Sequence, residues 1–264
     1  MLGCCEGLLH VHSEGEMIIG AIVGDVIGSP YECDNANDDS FPLFCDRSRP
    51  TDDSIMTLAV AWAVLRSADG SATLQQANIE CMHALGRVYP RAGYGERFTE
   101  WLRTPLANCS PYGSWGNGSA MRVSPVAWAF DSLELVERAA AQTAEVTHNH
   151  PSAITGAQAI AGAVFLARNG ASKKETREYV STRYGYDLDF TIESIRESYE
   201  FAGSVPVAIV AYLEGSSFED VVRRAVYVGG ILTPSSLWQL PSPRPLSGFL
   251  ATSKRSAGHC STKG

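Results

Sequence analysis

The chain has 264 residues, of which 45% are hydrophobic, enough to bury a sizeable core as one large domain or two small ones. Its net charge of −8 sets most of the surface against phosphate backbones, so nucleic acid is not expected as a general partner. The seven cysteines are scattered without a CxxC pair, which removes the usual zinc frameworks and fits a reducing compartment.

Residues 1–16 lack helical or strand periodicity and contain Glu6, Glu14 and Glu16 where a signal peptide would carry a basic start. They read as an N-terminal extension ahead of Met17, and the cytoplasm is the expected location. From Met17 to Tyr31 the sequence predicts a short apolar helix whose small residues Gly20, Ala21, Gly24 and Gly28 allow close packing. Asp25 and the same glycines interrupt the apolar run, which falls short of the roughly 18 residues a membrane span needs. Residues 34–50 are polar, end in Pro50 and predict a loop.

Ile55, Leu58, Ala59, Trp62 and Leu65 then recur at three- and four-residue spacing, predicting an amphipathic helix over 51–66 capped by Thr51 or Asp52. Further helical patterns cover 73–89, 92–103, 131–143, 151–169, 172–183, 190–203 and 217–228, with a polar loop at 104–119. No stretch alternates at period two, so an all-α domain is expected. Residues 231–264 contain no acidic residue and gather Ser, Pro, Lys and Arg, so they do not continue the pattern.

Four segments carry chemistry. Thr51, Asp52 and Asp53 set two carboxylates beside a hydroxyl, a donor set that suits a hard cation such as Mg²⁺. The same residues also suit a plain helix N-terminus, where they cap free N–H groups. Glu32 follows Gly28-Ser29-Pro30-Tyr31 and is a candidate acid or base, or simply a solvated residue after a helix stop. Gly113 to Ser119 (GSWGNGS) reads as a backbone cradle for an anion or as an ordinary flexible loop. Thr147-His148-Asn149-His150-Pro151 offers an imidazole to a ligand, although two histidines at this spacing before a proline suit a capped loop better than a metal site.

In this order, the strings GAIVGDVIGSPYE at 20–32, TDDSIMTLA at 51–59, GSWGNGSAMRVSP at 113–125 and THNHPSAITGAQA at 147–159 resemble the ADP-ribosylglycohydrolase family. Four ordered motifs are far more specific than any one. The resemblance covers 17–230 and implies a compact orthogonal helix bundle, an ADP-ribose cleft and two Mg²⁺ ions. It places Thr51, Asp52 and Asp53 on metal-ligand positions, with Glu32, Asp52 and Asp53 catalytic. Gly116, Asn117, Gly118 and His148 fall on substrate-contacting positions. The implied reaction is hydrolysis at C1″ of ADP-ribose carried by a protein side chain or a small molecule, by a protein expected to be monomeric. The alternative is an inactive ADP-ribose-binding or structural, crystallin-like relative.

One departure matters. Family members carry a second acidic motif, two glycines followed by Asp-Ser-Asp-Thr and a helix. Here Gly229 and Gly230 are followed by Ile231-Leu232-Thr233-Pro234, whose side chains cannot replace carboxylates. Residues 231–240 can be written ATT CTG ACA CCA TCG TCG CTC TGG CAG CTN, and one G placed in front rereads as Asp-Ser-Asp-Thr-Ile-Val-Ala-Leu-Ala-Ala. A one-nucleotide deletion or sequencing error after Gly230 is therefore expected. The fold would then be truncated at its C-terminal helices, with 231–264 a frameshifted, disordered tail and the second half of the metal site lost.

Overall fold

The computed structural model describes residues 14–32, 39–198 and 203–229. Among these residues it is helical throughout and contains no strand, as the periodicity predicts. None of the helices is long and apolar enough to cross a membrane. The expectations for 231–264, including the reading-frame change and truncation, lie outside the described residues. So does nearly all of the expected N-terminal extension.

Helix α1 (Glu14–Gly28) begins three residues ahead of the predicted Met17, and a turn of 3₁₀ helix (Ser29–Tyr31) follows it. Helix α2 (Asp52–Ala68) starts where the sequence places it: Thr51 is extended, and its hydroxyl accepts from the Asp53 N–H. Helices α3 (Leu74–Val88) and α4 (Glu96–Arg103) come next. The second starts later than the predicted 92, because Gly93 takes a left-handed φ of 108° and Gly95 forms the N-cap. Helices α7 (Leu133–Glu145), α8 (Pro151–Arg168), α9 (Lys173–Tyr184), α10 (Ile192–Ser198) and α12 (Phe218–Val228) lie near their predicted spans.

Three helices escaped the periodicity. Two are short, α5 (Gly118–Met121) and α6 (Ser124–Ala129), and sit under the glycine-rich segment. The third, α11 (Ser204–Glu214), is buried continuously from Val205 to Tyr212, so its sequence is apolar on every side and shows no amphipathic period. Pro206 falls in its first turn, where a missing N–H leaves no intrahelical bond unmade.

Two helices organise the core. Helix α2 packs against α1, α3, α5 and α6, and α8 packs against α5, α6, α7, α9 and α11. Helix α8 admits so many neighbours because its buried positions are mostly Ala and Gly: Ala153, Gly156, Ala157, Ala159, Ala161, Gly162 and Ala163. The Tyr179 hydroxyl lies 2.0 Å from where a Cβ on Gly162 would stand. That hydroxyl donates to Glu137, whose carboxylate also accepts from Tyr184 and Arg183, tying α7 to α9. The N-terminal ends of α2 and α5, the end of α1 and the segment before α8 are thereby held together.

Candidate active site

The site is assembled around Asp25, a carboxylate in the last turn of apolar α1 with no solvent exposure. Its Oδ2 accepts from the Thr51 N–H at 2.8 Å, from the Ser54 N–H at 3.1 Å and from the Ser54 hydroxyl. Its Oδ1 accepts from the Thr51 hydroxyl at 2.5 Å. Two of these donors are main-chain N–H groups at the start of α2, which lack intrahelical partners and meet a negative charge favourably. Asp25 thus fixes the Thr51-Asp52-Asp53 triplet from below. The sequence signal for this role was a lone carboxylate inside an apolar helix.

Asp52 is held at its backbone, its N–H donating to the Ala92 carbonyl at 2.9 Å, and its Oδ1 is 3.3 Å from where a Cβ on Gly93 would sit. Asp53 is buried beside it. Glu32, just past the 3₁₀ turn, is half-buried in the same field. Desolvation, followed by repulsion from Asp25 and Asp52, pushes its pKa from 4.5 up to about 7, against a weaker pull from Arg49. Burial pushes Asp52 up to about 6; repulsion from Asp25 adds to this, while its own backbone N–H and Arg122 oppose it. At neutral pH Glu32 is therefore poised to hold or release a proton while Asp52 is mostly ionised.

Arg122 ties the glycine-rich motif to the histidine motif, and its charge acts on Asp52. It is fully buried, and its Nη2 donates to the Thr147 hydroxyl at 2.7 Å. That hydroxyl is 2.8 Å from Nδ1 of His148. The opposite edge of the imidazole, Nε2, lies 2.8 Å from where a Cβ on Gly118 would be, so only glycine permits this approach. Burial first, then Arg122 and Arg97, lower the His148 pKa to about 3 and keep the ring neutral.

The first two motifs therefore meet at Asp25 and Thr51, and the last two at Arg122 with Thr147 and at His148 with Gly118; between the two pairs the charge of Arg122 acts on Asp52. Arg122 was not singled out as a site residue, although a charged residue in the apolar run after Ser119 was its visible signal.

The sequence pattern of ADP-ribosylglycohydrolases matches residues 15–231. The chain belongs to the ADP-ribosylglycohydrolase family. It is 33% identical over 132 residues to a protein of Archaeoglobus fulgidus, covering 43% of each chain. It is 28% identical over 216 residues to human ADP-ribosylhydrolase ARH3, covering 69% of this chain and 57% of that one. The mouse ARH3 is 28% identical over 189 residues, covering 60% and 50%. The chain thus spans about half the length of the relatives it matches. A solved structure titled ADP-ribosylglycohydrolase-related protein complex superposes with a TM-score of 0.65 at 22% identity, covering 85% of this chain and 84% of that one, a likeness of fold.

Within this glycohydrolase fold the glycine loop is less open than its sequence suggests. The Gly113 N–H donates to Asn149 Oδ1 at 2.8 Å and the Gly116 N–H to the Ser114 hydroxyl at 3.4 Å. Asn117 caps α5, its carbonyl accepting from Ala120 and Met121, and α5 is only four residues long. Trp115 stands 74% exposed at the loop's tip. The two histidines separate, as the capped-loop reading expects. His148 turns inward, whereas His150 caps α8, its Nδ1 accepting from the Ser152 N–H at 3.3 Å.

The metal question turns on the donor set. Thr51, Asp52 and Asp53 are hard oxygen donors of the kind Mg²⁺ takes. Among the described residues, however, no three His, Cys, Asp or Glu side chains converge as a metal-holding group. The Thr51 hydroxyl already gives its hydrogen to Asp25, so its oxygen can offer a cation only a lone pair. The described donors have the right chemistry for Mg²⁺ and do not by themselves make a complete shell.

Proposed function

We propose that this chain is a hydrolase of the glycosidic bond at C1″ of ADP-ribose carried by a protein side chain or a small molecule. The reading is supported above all by the half-buried, proton-poised Glu32 in the field of Asp25 and Asp52 at the acidic start of α2, with the His148–Gly118 contact as the candidate substrate side. Cleavage of a glycosidic bond needs a proton at the leaving atom or taken from water, and negative charge near the developing oxocarbenium ion. Glu32, with a pKa of about 7, can serve as the proton carrier. Asp52, mostly ionised at neutral pH, supplies the charge. Gly116, Asn117, Gly118 and His148 orient the substrate on the opposite side. Burial of Asp25, Asp53 and Arg122 keeps the local dielectric low, which strengthens each of these interactions.

Magnesium belongs to the proposal through Thr51, Asp52 and Asp53; when bound it would offer hard-cation coordination to ribose hydroxyls and water. With only this half of the donor set, affinity is expected to be weak and turnover of the printed chain impaired. A second reading, an ADP-ribose-binding or structural protein without turnover, is favoured by the sequence after Gly230, where Ile231-Leu232-Thr233-Pro234 stand in place of the acidic motif that the resemblance implies.

The test is release of free ADP-ribose from Ser- and Arg-linked ADP-ribosyl peptides, with and without Mg²⁺. The printed chain is compared with a version whose reading frame is restored after Gly230. Mg²⁺-stimulated release by the restored chain, and much less by the printed one, is expected. Binding of ADP-ribose with no release by either chain would leave a binding protein; neither binding nor release would defeat both the hydrolase and the binding protein and leave only the structural one.

A further inference from the structure

The contact between Thr147 and His148 has only one consistent placement of hydrogens. A guanidinium has no acceptor, so in the 2.7 Å contact Arg122 Nη2 donates and the Thr147 oxygen accepts. Thr147 has no solvent exposure, and among the described residues its hydroxyl meets only Arg122 and His148. Its own hydrogen must therefore go to His148 Nδ1 at 2.8 Å, because otherwise a buried O–H would be left without an acceptor. Nδ1 is then the accepting nitrogen, and a neutral ring must carry its proton on Nε2. Nε2 is the edge that lies against Gly118.

We propose that Arg122 and Thr147 are positioning residues that lock His148 as a hydrogen-bond donor toward the glycine loop, so that the ligand group met there is an acceptor oxygen. A phosphoryl oxygen, a ribose oxygen or a carbonyl satisfies the requirement; an ammonium or amide N–H does not. Among the described residues the side-chain hydrogen bond of His148 is the one at Nδ1; the Tyr112 ring is its aromatic neighbour, 6.0 Å away, with Arg97 over that ring. The neutrality the argument needs is consistent with the strongly lowered pKa of His148, which burial causes first and the two arginines reinforce. The inference rests on the proposed function only in taking His148 as a ligand contact; the hydrogen placement stands apart from it.

The decisive measurement is nitrogen-15 NMR of the histidine side chains in the full chain, with His148 assigned by its loss in His148→Gln. The expected signature is a pyrrole-type Nε2–H and a pyridine-type Nδ1, unchanged between pH 5.5 and 8. Thr147→Val should scramble the tautomer and weaken ADP-ribose binding about tenfold, the worth of one good hydrogen bond. Thr147→Ser, which keeps the hydroxyl, should restore both. A protonated Nδ1 in the unaltered chain would overturn the proposal, as would a Thr147→Val chain that keeps the Nε2–H form and full affinity. A fixed Nε2–H form in a chain that binds no ADP-ribose would instead uphold the hydrogen placement and refute the function proposed above.

Discussion

Replacing Asp25 by alanine should be among the most destabilising single changes in this chain, and the structure allows its size to be worked out. Four donors converge on the carboxylate: the N–H groups of Thr51 and Ser54 and the hydroxyls of both residues. Each donor left buried without a partner costs on the order of 1–3 kcal/mol. The hydroxyls can rotate toward other acceptors and the empty volume can admit a water, so the sum is smaller than four full penalties. A loss of about 3–5 kcal/mol follows, which is a large part of a typical 5–15 kcal/mol total.

Asp25→Asn keeps one oxygen, enough for the bonds gathered at Oδ2, but turns an NH₂ toward the Thr51 hydroxyl and should cost only about 1–2 kcal/mol. It also removes the charge that repels Glu32 and Asp52, so both carboxyls should titrate lower. Urea denaturation of the three proteins measures the stabilities, and carbon-13 NMR of the Glu32 carboxyl measures the titration. An Asp25→Ala protein within about 1 kcal/mol of the parent, or a Glu32 midpoint unmoved in Asp25→Asn, would refute the reasoning.

The pH dependence has a defined sign. Glu32 has a folded pKa of about 7 against 4.5 ordinarily, so between these values the folded chain holds more protons than the unfolded one and stability falls as pH rises. In metal-free buffer, melting at pH 8 should come several degrees below melting at pH 5.5, and Glu32→Gln should flatten the difference. His148 acts in the opposite sense: with its pKa lowered to about 3, its neutral burial costs stability as pH falls below about 6.5, so it offsets part of the Glu32 effect at pH 5.5, and thermal melts of His148→Gln in acid would show a shallower decline. Gly162→Ala should drive a methyl into the Tyr179 hydroxyl, break the bonds at Glu137 and cost about 1–3 kcal/mol in urea denaturation. Gly118→Ala places its Cβ 2.8 Å from His148 Nε2, and should weaken ADP-ribose binding at least several-fold by titration calorimetry and cost about 1–3 kcal/mol in urea denaturation.

Read by itself, the sequence was sufficient wherever the cause was local. The cap at Thr51 and the three- and four-residue spacing after it depend on neighbours within one or two turns, and α2 lies close to its expected bounds; its buried face does not follow that spacing, because Leu58, Trp62 and Leu65 are exposed while Met56, Val60, Ala63 and Val64 are buried. The four motifs were visible for the same reason, since each is a short run of residues suited to helix ends and turns. Tertiary packing alone settled what burial does. It showed α11, whose uniform apolarity hides its period, and it turned Asp25 and Arg122 from single charged letters into the supports of two half-sites. It also sent His148 inward while His150 became a cap, two residues apart and indistinguishable by type. A pKa, a tautomer and the partner of a buried charge are set by atoms distant in the chain, and spacing along the chain carries no information about which of those atoms arrive.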